Sequence, residues 1–269
     1  VVFMIAHRGA NKFAPENTIP AYEKAIEMGM DYIEMDVHST KDGYLVMSHD
    51  WTVDRMTNGH GRIGEMTLEQ IKSLDAGVKF SPEFKGTRIP TLDEALETCK
   101  GRIKVYLDLK GAPVPAVIEA LDRHGMIPDT VVYSSIRVLV EIKKLRPDLA
   151  VMPGPDGWLR LPGLAALVVK TLPAEVIDSN LVEWTKERVD EVHAAGGLVF
   201  VDTLGIKDNK EGMMEAIEMG VDGIDTDHPD VLLQVVDELG LRRPRGRGRE
   251  GGLRSQAQAA PKSGGRSRT

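Results

Sequence analysis

Short apolar runs recur along the chain, each bounded by turn residues, and nine of them read as strands: about 2–7, 31–37, 44–48, 103–109, 130–134, 149–153, 175–178, 198–203 and 222–226. Between many of them lie amphipathic stretches with helical spacing: Ile19 to Met28, Thr67 to Leu74, Leu92 to Cys99, Pro115 to Arg123, Arg137 to Leu145, Lys186 to Ala195 and Lys210 to Met219. Strands that alternate with helices pair in parallel, and this many units suit closure into a TIM-like (β/α)8 barrel. Nine strands exceed eight by one. The surplus is 44–48, because Lys41-Asp42-Gly43 makes a hairpin turn, whereas a parallel crossover needs about a dozen residues. Folding back there sets His49 beside Glu34. Residues 51–90, rich in Gly, Pro and charge, read as a short insertion over the rim after this third strand.

The 269 residues suit one barrel domain, assigned to 1–241. Composition changes abruptly after it. Residues 242–269 hold nine Arg or Lys against Glu250 alone, so the tail carries +8 of a chain whose net charge is −7, leaving −15 on the body. Too few apolar residues follow to repay ordering, and the tail is expected to be disordered. Its Arg-Gly repeats can also track the phosphates of RNA or an anionic membrane. Cys99 stands alone and excludes an intrachain disulfide. No run reaches the roughly 18 apolar residues of a membrane span, and no signal peptide precedes the first strand. A cytoplasmic location is the expectation, for a sequence that starts at Val1 rather than Met.

Polar residues gather at the ends of the early strands: His7-Arg8-Gly9, Glu34-Met35-Asp36 and His49-Asp50. Glu34 and Asp36 are two apart, so they share one face, and a barrel rim is a costly place for two carboxylates without a cation. Metal binding explains them; solvated strand-end acids are the plainer alternative. Arg8 offers a bidentate fork to phosphate oxygens, and Lys110 a point charge two residues beyond Asp108 on the same face. Each could instead be a structural partner of the acids. His124 and His193 fall in helical patterns and read as surface or packing residues.

The blocks IAHRGA at 5–10, APENT at 14–18, IEMDV at 33–37, TKDG at 40–43 and HD at 49–50 resemble the signature of the glycerophosphodiester phosphodiesterase family. DRMTNGHG at 54–61, LDAG at 74–77, IPTLDEAL at 89–96 and GVDGIDTDHPD at 220–230 continue it in the same order. The resemblance implies metal-dependent hydrolysis of a glycerophosphodiester substrate to glycerol 3-phosphate and an alcohol. It implies His7 and His49 as the proton carriers, with acid and base unassigned, and adds a third acidic ligand, Asp108, where the family more often has Glu. Three carboxylates suit one divalent cation, Mg²⁺ or Ca²⁺. Glu16 belongs to a family block and is expected near the metal or the sugar-like end of the substrate, while Asn17 and Thr18 read as helix caps. His38 and His60 are expected near the site, and His228 follows the last strand as a loop or substrate contact. Asp202 stands where the family commonly places Trp, so an aromatic wall of the glycerol pocket is missing, with Trp51 and Trp158 as substitutes. Two other readings remain: a lysophospholipase D or sphingomyelinase D-like activity, and a non-catalytic barrel with a phosphate-binding tail.

Overall fold

A computed structural model describes residues 2–154, 161–242 and Leu253. The strands are β1 (Phe3–Ala6), β2 (Tyr32–Ser39), β3 (Leu45–Met47), β4 (Lys104–Gly111), β5 (Thr130–Ser134), β6 (Ala150–Pro153), β7 (Val176–Asn180), β8 (Leu198–Asp202) and β9 (Gly223–Thr226). The helices are α1 (Ile19–Met28), α2 (Leu68–Ser73), α3 (Leu92–Cys99), α4 (Val114–His124), α5 (Ile136–Leu145), α6 (Leu164–Thr171), α7 (Lys186–Ala194), α8 (Lys210–Met219) and α9 (Pro229–Glu238). Eight strands form a nearly closed parallel barrel in the order β6-β5-β4-β2-β1-β9-β8-β7, and β6 and β7 lie side by side. β3 leaves that path. It pairs antiparallel with β2, Val37 opposite Met47, as its short turn requires.

Alternation along the strands separates two cores. Ile33, Met35 and Val37 of β2, Leu107 of β4 and Val199 of β8 pack outward into the layer beneath the helices. Their neighbours face the barrel axis, where Phe3, Ile5, Tyr32, Tyr106, Leu198 and Phe200 belong to a separate apolar cluster at the amino ends of the strands. Phe3, Tyr32 and Phe200 meet at centroid distances of 5.3 to 5.9 Å in edge-on or tilted contacts, each worth about 0.5–1.5 kcal/mol beyond its buried area. Gly223 makes room for them, since a Cβ there would come 2.6 Å from the Phe200 ring. The same interior faces turn polar toward the carboxyl ends, through Glu34 and Asp36 on β2, Asp108 on β4, Asp202 on β8 and Asp225 on β9.

The segment between β3 and α3 is a satellite with its own small core of Val46, Val53, Ile63, Ile71, Ala76 and Ile89. Reciprocal capping boxes start α2, through Thr67 and Gln70, and α3, through Thr91 and Glu94. Sequence periodicity passes over α6 and α9. LAALVVKT in α6 is apolar on nearly every side and gives no helical stripe to read.

Candidate active site

The turn after β1 sets the first part of the site. Arg8 adopts φ 53° and Gly9 φ 79°, and a Cβ on Gly9 would lie 2.8 Å from Ala21 Cβ, so the loop runs tight against α1. This turn aims the Arg8 backbone N–H at Glu34 Oε2, 2.8 Å away. The Arg8 side chain donates through Nη1 to Glu16 Oε1 at 3.1 Å, and its Nε lies 3.6 Å from Asp36 Oδ2. That Nε is buried and has no hydrogen-bond partner among the described residues, so its N–H can be offered to an anionic oxygen.

Glu34, Asp36 and Asp108 each bring a carboxylate oxygen to within 4.8 Å of the others. Asp36 is 1% exposed and Glu34 4%. Asp36 Oδ1 lies 3.2 Å from Lys110 Nζ without hydrogen-bonding geometry, and Lys110 also pairs with Asp108. Burial, then the charges of Asp36, Asp225 and Asp108, push Glu34 well above the usual carboxylate range. Burial, then Asp36, push Asp108 up to about 6 against the pull of Lys110. Crowding of this kind is relieved by a cation, and an all-oxygen donor set in which Asp36 Oδ1 is buried with no hydrogen bond among the described residues fits a hard divalent ion.

His7 Nδ1 lies 2.7 Å from Asp227 Oδ1. Asp227 also accepts from Asn11 Nδ2 and stands 3.6 Å from Lys12 Nζ. Burial would raise this carboxyl, but the bonds from His7 and Asn11 outweigh it and hold Asp227 ionised, far below its usual range. An ionised partner places an imidazole hydrogen on Nδ1 and turns Nε2 toward the acids, 4.0 Å from Glu34 Oε2. His49 follows Ser48, whose N–H donates to Asp36 O at 3.0 Å, so the antiparallel return of β3 carries it to the rim beside the acids. Its Nδ1 is 2.8 Å from Asp50 Oδ1, an acid held at about 2 by Arg55 first and also by His49.

Asn17 departs from expectation. Thr18 occupies the cap position of α1, but its hydroxyl turns to Pro15 O and no side-chain cap forms. Asn17, at φ 54° and buried, serves Asp36 instead: its Nδ2 donates to Asp36 Oδ2 at 2.8 Å, and its Oδ1 accepts from the Asp36 N–H at 3.1 Å. Glu16 bridges Arg8 and Arg55, with Arg55 Nη2 at 2.7 Å. Asp202 accepts from Asn180 Nδ2 at 2.7 Å. His228 stands at the start of α9 without a side-chain cap bond. His38 lies under exposed Trp51, edge-on with centroids 4.7 Å apart, and His60 sits on the insertion beside Asp54. Trp158 lies outside the described residues. Asp227, Asn11 and Arg55 are the residues that sequence reasoning passed over. Asp227 lay inside a quoted block, yet nothing local tells that its carboxylate reaches back across β9 to β1.

Residues 7–231 match the Glycerophosphoryl diester phosphodiesterase family. The chain is 38% identical over 248 residues to a glycerophosphodiester phosphodiesterase of Caldanaerobacter subterraneus subsp. tengcongensis, covering 88% of this chain and 98% of that one. It is 34% identical to the crystal structure of a glycerophosphodiester phosphodiesterase from Agrobacterium tumefaciens, with a TM-score of 0.78 over 87% of this chain and 100% of that chain. An Oleispira antarctica phosphodiesterase solved in complex with the product sn-glycerol-3-phosphate is 27% identical, with a TM-score of 0.78 over 87% and 96% of the two chains. A parallel barrel with this polar mouth and these relatives is a phosphoric diester hydrolase. The chain belongs to the glycerophosphoryl diester phosphodiesterase family.

Proposed function

We propose that the barrel, residues 1–241, hydrolyses glycerophosphodiesters to sn-glycerol 3-phosphate and an alcohol, with His7 and His49 as the proton carriers and Glu34, Asp36 and Asp108 as the ligands of one Mg²⁺ or Ca²⁺. The observation that carries this reading is the placement of His7, its Nδ1 held by Asp227 at 2.7 Å and its Nε2 facing the three-carboxylate cluster 4.0 Å from Glu34. When bound, the cation supplies charge neutralisation of the phosphate and of the charge that develops on its oxygens.

The remaining roles belong to side chains. Arg8 offers a phosphate oxygen its Nε, which makes no hydrogen bond among the described residues, and Lys110 adds a second positive charge, made persistent because Asp36 and Asp108 outweigh the burial that would lower its pKa. One of His7 and His49 accepts the proton of the attacking oxygen, and the other donates a proton to the leaving alkoxide as its P–O bond breaks. Glu16 and Arg55 tie the loop after β1 to the loop after β3, which keeps the two histidines in one frame.

The test is product analysis on a panel of glycerophosphodiesters with and without EDTA, using the wild-type chain, His7→Ala and His49→Ala. Chelation should abolish turnover, and each substitution should lower kcat by about 10²-fold or more with the fold intact. Full activity in EDTA, or in either variant, rejects the reading.

A further inference from the structure

A second cluster of metal-ligating groups shares only one residue with the three-carboxylate set. His7, Glu34 and Asp225 each place one ligand atom within 4.8 Å of the others. Asp225 faces the barrel axis from β9, level with Ile5 of β1 and Asp202 of β8. It is 3% exposed, and its Oδ1 has no hydrogen-bond partner among the described residues. A carboxylate this deep is costly unless a proton, a donor or a cation meets it. The neighbouring charges make matters worse, because Asp178, Asp202, Asp227 and Asp208 all act on Asp225 with the same sign.

We propose that His7 Nε2, Glu34 and Asp225 form a second cation site, selective for a borderline transition ion such as Zn²⁺, with Glu34 bridging it to the all-oxygen site. The donor set differs in kind from Glu34, Asp36 and Asp108. An imidazole nitrogen with two carboxylates is the chemistry of zinc, whose bonds to N and O run about 2.0–2.2 Å, whereas Mg²⁺ and Ca²⁺ prefer oxygen throughout. His7 is already oriented for it. Asp227 holds Nδ1 at 2.7 Å, the carboxylate–histidine arrangement that fixes the tautomer and raises the basicity of the ligating nitrogen. Occupation of the site takes the Nε2 lone pair, so the ion inhibits hydrolysis even when the oxygen site is saturated. The inhibition rests on the proton role given to His7 above; the binding does not.

The experiment titrates the metal-stripped full chain with Zn²⁺ by calorimetry in saturating Mg²⁺, with turnover followed in parallel. Asp225→Asn and His7→Ala should each weaken Zn²⁺ binding by about tenfold or more, whereas Asp108→Asn, which touches only the oxygen site, should leave it nearly unchanged. Wild-type turnover should fall as Zn²⁺ binds, and Asp225→Asn should keep its own zinc-free rate at the same Zn²⁺ concentration. Two variants, one in the turn after β1 and one on β9, guard against one that fails to fold, as checked by circular dichroism. Equal Zn²⁺ affinity in the wild type, Asp225→Asn and His7→Ala overturns the site. Loss of binding in both variants without any zinc inhibition of the wild type keeps the site and removes His7 from proton transfer.

Discussion

Asn17 and Asp36 hold each other by two hydrogen bonds, Asn17 Nδ2 to Asp36 Oδ2 at 2.8 Å and the Asp36 N–H to Asn17 Oδ1 at 3.1 Å. Both residues are buried, and Tyr22 donates to the same Asn17 oxygen at 3.2 Å. The pair fixes the orientation of the most buried acid in the site from a neighbouring loop. Asn17→Ala removes both bonds and strands a buried N–H, which costs about 1–3 kcal/mol of stability. It should also raise the metal concentration for half-maximal activity by roughly 10–100-fold, as loss of a ligand's supporting bond does elsewhere. Titrating Mg²⁺ against turnover in the variant checks this; an unchanged midpoint would place Asp36 outside the metal shell.

The bond between His7 and Asp227 makes a separable demand. Asp227→Asn keeps the shape but withdraws the charge that holds the hydrogen on His7 Nδ1. The imidazole is then no longer held in one tautomer and orientation, and Nε2 loses the fixed placement that either proton role requires. We expect kcat to fall by about 10²-fold or more with KM little altered, and the pH–rate profile to shift on the limb that reports His7. Equal losses in kcat and in thermal stability, with an unmoved profile, would assign Asp227 a purely structural role.

Much of this architecture could be read from the chain. The strand and helix positions follow from apolar periodicity, and the departure of β3 from the barrel follows from Lys41-Asp42-Gly43 being too short for a crossover. The clustering of Glu34 with Asp36 and Asp108 follows from the two-residue strand period and the family blocks. What could not be read depends on distances between elements. Asn17 occupies a position where Asn ordinarily caps a helix, and only the approach of β2 converts it into a partner of Asp36. Asp227 and Asp225 lie in one short block, but strand alternation cannot tell that one reaches an imidazole while Oδ1 of the other has no donor among the described residues.

The acids of the cluster set a pH dependence whose sign can be worked out. Burial and then Asp36 raise Asp108 from 3.8 to about 6, and Glu34 and Asp225 are raised as well. A carboxyl with a raised folded-state pKa binds its proton more tightly in the folded chain than in the unfolded one. Its stabilising contribution is therefore greatest at low pH and is lost as pH rises from about 4 through 6. Metal-free protein should lose stability from Asp108 over that interval, and saturating Mg²⁺ should raise the melting temperature by an amount that grows across it. Asp108→Asn should flatten the metal-dependent increment, and Asp108→Glu should retain it. Calorimetry with and without metal at several pH values decides the matter: an increment independent of pH would exclude Asp108 as a ligand.

Leu253 is the one residue beyond Arg242 that the structure describes. Composition suggested that nothing in residues 242–269 would pack, yet Leu253 is 6% exposed and joins the cluster of Phe3, Tyr32, Leu198 and Phe200 at the amino ends of the strands. Helical periodicity is the signature of a face, and a single side chain seated over an apolar floor leaves no such signature. Burying one leucine contributes about 1.5–3 kcal/mol. At roughly 2–4 °C per kcal/mol for a domain of this size, truncation after Arg242 should lower the melting temperature by roughly 3–12 °C. Leu253→Asp should do at least as much, because it sets a charge against the same aromatic rings. Turnover on small glycerophosphodiesters at a temperature well below melting should stay near wild type, since Leu253 packs at the opposite end of the strands from the carboxylates. A truncated chain that melts with the full-length protein would show that Leu253 adds nothing to the barrel floor, and a selective loss of turnover would show that the tail reaches the mouth.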